Sequence, residues 1–142
     1  MVQRVNIEIT APLCTGCRLC EISCSLYHEQ LINMEKARIR VTDNYEQSLF
    51  EPHLCRLCTP APCVEACPSQ ALSQDEGGVI HVDGELCLGC YSCADACPHQ
   101  AIWWREEQSR ILVCDRCGGN PICIQFCTIG ALQRTPIELP QK

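Results

Sequence analysis

Cysteine spacing constrains this chain more than any other feature. Sixteen of its 142 residues are cysteines, and they fall into four groups of four with none left over. Cys14, Cys17, Cys20 and Cys24 read C-x2-C-x2-C-x3-C, and Cys55, Cys58, Cys63 and Cys67 read C-x2-C-x4-C-x3-C-P. Cys87, Cys90, Cys93 and Cys97 read C-x2-C-x2-C-x3-C-P, and Cys114, Cys117, Cys123 and Cys127 read C-x2-C-x5-C-x3-C. Three thiolates on one tight loop can take three irons of a cubane, while a fourth, one helical turn on, reaches a neighbouring cluster. The expected cofactors are therefore four [4Fe-4S] clusters.

Two other uses of cysteine fit less well. A disulfide framework belongs to secreted chains. Residues Met1 to Glu8 hold neither the apolar stretch of a signal peptide nor a twin arginine. That points to a cytoplasmic location. Structural zinc takes four ligands, commonly as two C-x2-C pairs, and the groups here lack a symmetric second pair.

Composition agrees. The apolar fraction is 46%, but without the cysteines it falls to about 35%, and aromatics supply only 5%. So little conventional core implies that the clusters are the core, and that folding is coupled to metal uptake. The formal net charge is −6, and four oxidised centres with their thiolates would add roughly −8. That balance disfavours nucleic acid and anionic membrane as partners. No apolar run approaches the ~20 residues of a membrane span.

Alternation at Val5, Ile7 and Ile9 predicts an opening strand over residues 2–9, and Arg18 to about Tyr27 a short helix. Ala37-Arg38-Ile39-Arg40-Val41 alternates as a strand. Hairpins are expected around Gly77-Gly78, and between Ala101–Trp104 and Arg110–Val113, turned at Glu106 to Ser109. Trp103 and Trp104 would then face opposite sides and serve packing. His28, His53, His81 and His99 read as surface or turn residues, with His28 placed to hydrogen-bond near a cluster edge. No phosphate-cradling loop, Ser-His-Asp set or H-E-x-x-H motif is present, so a substrate site is not expected.

Pro68 and Pro98 follow the fourth cysteine of the two middle groups, whereas Ser25 and Thr128 stand there in the outer groups. That symmetry suggests an α+β fold, a single polyferredoxin domain over 1–142. Its inner lobe would cover about 50–104, nested in an outer lobe of about 1–49 plus 105–142. Each lobe would resemble a bacterial 2x[4Fe-4S] ferredoxin, with short strands, hairpins and helices. The third and fourth groups are also near enough in sequence to pair.

From Asn6 to Gln133 the chain resembles the four-cluster, ferredoxin-like electron-transfer subunits of molybdenum and tungsten oxidoreductases, formate-linked complexes, and carbon monoxide dehydrogenase or hydrogenase systems. The resemblance implies crossed ligand sets: Cys14, Cys17, Cys20 with Cys127 (cluster A); Cys114, Cys117, Cys123 with Cys24 (cluster B); Cys55, Cys58, Cys63 with Cys97 (cluster C); and Cys87, Cys90, Cys93 with Cys67 (cluster D). The segments Cys24–Glu29, Ala37–Val41 and Cys114–Cys123 look most like the compact small subunits of tungsten aldehyde oxidoreductases and tungsten benzoyl-CoA reductases. The implied role is non-catalytic: electrons pass between a tungsten- or molybdenum-pterin subunit and a flavoprotein or ferredoxin. A free-standing polyferredoxin shuttle is the alternative. Head-to-tail self-association through exposed end clusters is a further expectation.

Overall fold

The computed structural model describes residues 5–136. Its framework is four two-stranded antiparallel ribbons joined by four short helices. Strand β1 (Val5–Ile9) pairs with β8 (Leu132–Pro136) across almost the whole sequence, Val5 opposite Pro136 and Ile9 opposite Leu132. The other ribbons are local hairpins: β2 (Arg40–Asn44) with β3 (Leu49–His53), β4 (Leu72–Gln74) with β5 (Ile80–Val82), and β6 (Trp103–Arg105) with β7 (Arg110–Leu112).

Each helix begins one residue before the third cysteine of a motif. They are α1 (Leu19–Glu29), α2 (Pro62–Glu65), α3 (Ser92–Ala96) and α4 (Ile122–Phe126). Pro68 and Pro98 bias the preceding cysteine away from helical backbone, so α2 and α3 stop within about one turn. Ser25 imposes no such stop, and α1 runs on to Glu29. Helix α1 packs on α4, and α2 on α3. The first motif is thus brought to the fourth and the second to the third.

The apolar core is thin and lies between the motifs. Ala37, Leu54, Leu57 and Ala101 are buried along with Ile39, Ile80, Ile111 and Leu132. Among the described residues no helix is long and apolar enough to cross a membrane.

Several elements differ from the sequence reading. The helix expected from Arg18 starts at Leu19, because Arg18 takes left-handed backbone (φ 61°) as its N-cap. The alternation of Ala37, Ile39 and Val41 is real burial, but strand pairing begins only at Arg40. The preceding turn is occupied otherwise, since the Arg38 N–H donates to Cys24 Sγ at 3.2 Å. Strand β3 was not among the expected elements; it contains Pro52, and in a two-stranded ribbon a proline can face the unpaired edge. The opening strand holds from Val5, and residues 2–4 lie outside the described ones.

Candidate metal centre

The motif loops share one backbone device. The residue two after the first cysteine is left-handed in all four: Gly16 (φ 71°), Leu57 (53°), Gly89 (68°) and Arg116 (59°). That turn folds the first two cysteines back toward the third, which sits in the first turn of its helix. A second repeat follows the later motifs, where Gln70, Gln100 and Gly130 are left-handed (φ 56°, 51° and 72°). The chain then turns to bury Ala71, Ala101 and Ala131.

Two sulfur quartets close on apolar cavities. One is lined by Cys55, Cys58, Cys63 and Cys97 together with Ala61, Ile80, Ile102 and Val113. The other is lined by Cys67, Cys87, Cys90 and Cys93 together with Leu72, Leu88, Tyr91 and Ile111. In each, three cysteines come from one motif and the fourth from its neighbour. In the outer part, Cys24 lies within electrostatic reach of Cys114 and Cys117, and Cys123 within reach of Cys24, Cys114 and Cys117. Cys20 is likewise near Cys14 and Cys17. Cys127 ends α4, the helix packed on α1. All sixteen thiols are free of disulfides.

The donors suit an iron–sulfur cluster. Burial pushes the Cys20 and Cys24 thiols up to about 12. It pushes Cys55, Cys93 and Cys117 up to about 11, and it raises Cys123 and Cys63 as well. Several soft donors converge there, and because ligation needs thiolates, a thiophilic metal centre would have to displace the protons that burial otherwise keeps on them.

Peptide N–H groups already point at the sulfurs: Ala71 to Cys67 at 3.3 Å, Ala101 and Leu57 to Cys97 and Cys55 at 3.5 Å, and Arg38 to Cys24 at 3.2 Å. Such bonds stabilise the thiolate and tune a cluster's potential. Around Cys67, burial works upward, but the hydroxyl of Ser69 and the N–H groups of Ala71 and Leu72 outweigh it and hold the thiol low.

Other side chains lie near these centres, and of them the sequence reading marked only His28. His28, with a side chain 8% exposed, has Nδ1 3.0 Å from Cys24 O and Nε2 2.9 Å from Asp115. It is therefore an internal residue, as its place after Cys24 allowed. Asp115 also accepts from Arg38 Nη1 and the Cys117 N–H, both at 2.9 Å. Burial acts to raise Asp115, but His28, the Cys117 N–H and Arg38 dominate and hold it down at about 2. Glu21, buried beside Cys20, takes Arg18 at 2.9 Å. Arg105 forms a two-pronged pair with Glu29, joining β6 to the end of α1. The tryptophans do face opposite ways: Trp104 tilts against Tyr91 near the Cys87 loop, and Trp103 carries Arg40 4.9 Å over its ring. Of the other histidines, His99 lines the cavity of Cys55, Cys58, Cys63 and Cys97. His53 reaches Thr42 and the His99 carbonyl, and His81 reaches Asp75.

Comparison with known proteins agrees with this chemistry. Residues 46–135 match the model of the 4Fe-4S dicluster domain. The chain is 44% identical over 126 residues to the polyferredoxin-like subunit of an aliphatic sulfonate oxidoreductase from Pyrococcus furiosus, covering 88% of this chain and 72% of that protein. It is 31% identical over 156 residues to the B component of the anaerobic dimethyl sulfoxide reductase of Escherichia coli, covering 97% and 76%. Among solved structures it resembles a chain of the active site complex BamBC of benzoyl coenzyme A reductase with benzoyl-CoA. That match has a TM-score of 0.56 and 25% identity, over 92% of this chain and 78% of that one. The small fold of short strands and helices is thus a ferredoxin-like iron–sulfur fold, and the protein belongs to the 4Fe-4S dicluster domain family.

Proposed function

We propose that the chain is an electron-transfer subunit carrying four [4Fe-4S] clusters, and that it relays single electrons between a catalytic tungsten- or molybdenum-pterin subunit and a flavoprotein or ferredoxin. The convergence of motif cysteines in crossed sets carries this reading. Cluster C would be held by Cys55, Cys58, Cys63 and Cys97, and cluster D by Cys87, Cys90, Cys93 and Cys67. Cluster B would be held by Cys114, Cys117, Cys123 and Cys24, and cluster A by Cys14, Cys17, Cys20 and Cys127. The packing of α1 on α4 and of α2 on α3 supports an outer lobe nested around an inner one.

Bound clusters supply one-electron transfer at low potential. The chain's own residues hold the thiolates, donate N–H bonds to them and keep water out. Cys17 and Cys90 are the exposed cysteines, which suits sites A and D to be the two ends of the relay. Leu86, Leu88 and Tyr91 are exposed beside Cys87 and Cys90, and Leu13 and Leu19 beside the first motif. These apolar rims suit docking of redox partners, the catalytic subunit at one end. An enzyme of the aldehyde-oxidoreductase type is the partner favoured by the motif resemblance, and the relatives of the sulfonate and dimethyl sulfoxide systems are subunits of oxidoreductases by name.

Anaerobically purified protein should hold about 16 irons and about 16 acid-labile sulfides, four of each per cubane. Zinc, or half that iron, refutes the four-cluster reading. The protein should take up electrons reversibly and oxidise no organic substrate alone. Unaided aldehyde oxidation would overturn the subunit role, and a monomer that exchanges freely between partners would favour the shuttle.

A further inference from the structure

Arg56 and Arg116 follow the first cysteines of the second and fourth motifs by one and two residues. Both guanidinium groups reach back to β1. Arg56 Nη1 donates to the Ile7 carbonyl at 3.3 Å, and Arg116 Nε to the Val5 carbonyl at 2.9 Å. Arg116 is 1% exposed. Its Nη2 donates to the Cys55 carbonyl at 2.6 Å and its Nη1 to Cys114 Sγ at 3.2 Å. One buried cation thus touches the first cysteine of two different sites, whose thiols lie within electrostatic reach of each other.

Three other arginines have acids, whereas Arg40 donates to the Glu35 backbone carbonyl. Arg105 has Glu29, Arg38 has Asp115, and Arg18 has Glu21 and Asp43. Among the described residues neither Arg56 nor Arg116 has a carboxylate at ion-pair distance. Burial and the charge of Arg116 hold Arg56 below its ordinary value, while Cys58 acts the other way. A buried charge without a counter-charge is costly. Besides backbone carbonyls, what these two meet is sulfur: Cys114 Sγ for Arg116, and Cys58 within electrostatic reach of Arg56.

Resting on the four-cluster reading, we propose that Arg116, with Arg56 beside it, is the shared internal counter-ion of the Cys114 and Cys55 sites and raises the reduction potentials of both. Each reduction adds one electron and no bond, so the site becomes more negative by one charge. A fixed cation within hydrogen-bond reach of the ligating sulfur favours that form. Among the described residues, the arginine near the Cys14 motif, Arg18, is already paired with Glu21 and Asp43, and no arginine donates to a sulfur of the Cys87 motif. Arg116 is a positioning and tuning residue, and it touches no substrate.

The test is an EPR-monitored redox titration of the anaerobic holoprotein with iron counts, in wild type, Arg116→Gln, Arg116→Lys and Arg56→Gln. Arg116→Gln should move two of four transitions to lower potential and leave two in place. Arg116→Lys should hold them near wild type, and Arg56→Gln should lower the Cys55-site transition most. Four unmoved transitions at full iron content, or four moved alike, would overturn the proposal. If Arg116→Gln sheds iron, loss from two sites that Arg116→Lys restores supports it, and equal loss in both variants refutes it. Fewer than four transitions in wild type would sink the four-cluster reading instead.

Discussion

Replacing Gly16 by alanine separates two costs that the motif loops otherwise combine. Gly16 is left-handed, a conformation that costs an L-residue about 1–2 kcal/mol. Leu57 and Arg116 occupy the same loop position with full side chains, so that strain alone is tolerable here. What differs at Gly16 is Phe50 of β3. An added Cβ would lie 2.6 Å from Cδ1 and Cε1 of its ring, well inside van der Waals contact. Overpacking of this kind adds about 1–3 kcal/mol, for a total of about 2–5 kcal/mol. If the loop must open for iron to leave, each 1.36 kcal/mol is roughly a tenfold rate. Gly16→Ala should therefore lose the visible iron–sulfur absorption roughly thirtyfold to about five-thousandfold faster in anaerobic chelator. Phe50→Ala removes the obstacle, and a double-mutant cycle should recover at least about 1 kcal/mol of coupling. Gly16→Ala decaying at the wild-type rate, or no coupling to Phe50, would refute the steric argument.

Three shorter predictions follow from other contacts. Cys67→Ser should perturb the site of Cys87, Cys90 and Cys93 and spare that of Cys55, Cys58 and Cys63; EPR showing the reverse would defeat the crossed ligand sets. Glu29→Gln leaves Arg105, whose side chain is 9% exposed, without its counter-charge, and should cost about 3 kcal/mol in anaerobic denaturant unfolding. A loss below about 1 kcal/mol would mean that Glu107, 3.9 Å from Arg105, takes over. Asp115→Asn should lower stability by only about 1 kcal/mol, since its side chain is more than a third exposed. Because Asp115 orders Arg38, His28 and the Cys117 N–H around one site, it should alter a single EPR signal; a change in all four would contradict that local role.

Most of the candidate centre was legible in the sequence because cluster ligation depends on spacing along the chain, and spacing is visible there. The hairpin at Gly77-Gly78 and the ribbon carrying Trp103 and Trp104 were legible for the same reason: their contacts are local. The interior arginines were not. Arg116 and Arg105 look like surface charges until sequence-distant Val5, Cys55 and Glu29 arrive beside them. Strand β3, which contains Pro52, was not among the expected elements, and β2 began late because burial and strand pairing are separate constraints at Ala37–Val41.

The pairing of β1 with β8 also bears on the order in which this molecule can be made. The cysteine quartets gathered from the second and third motifs are complete once Cys97 has left the ribosome. Cys24 must wait for Cys114, Cys117 and Cys123, and β1 has no partner strand until Leu132 to Pro136 emerge. Local contacts form ahead of distant ones in general, so during synthesis the first motif is a set of open thiols with the rest of the chain still to come. The thiols most open to oxidation during synthesis would then be those of the motif translated first, until residues 114–127 arrive beside it.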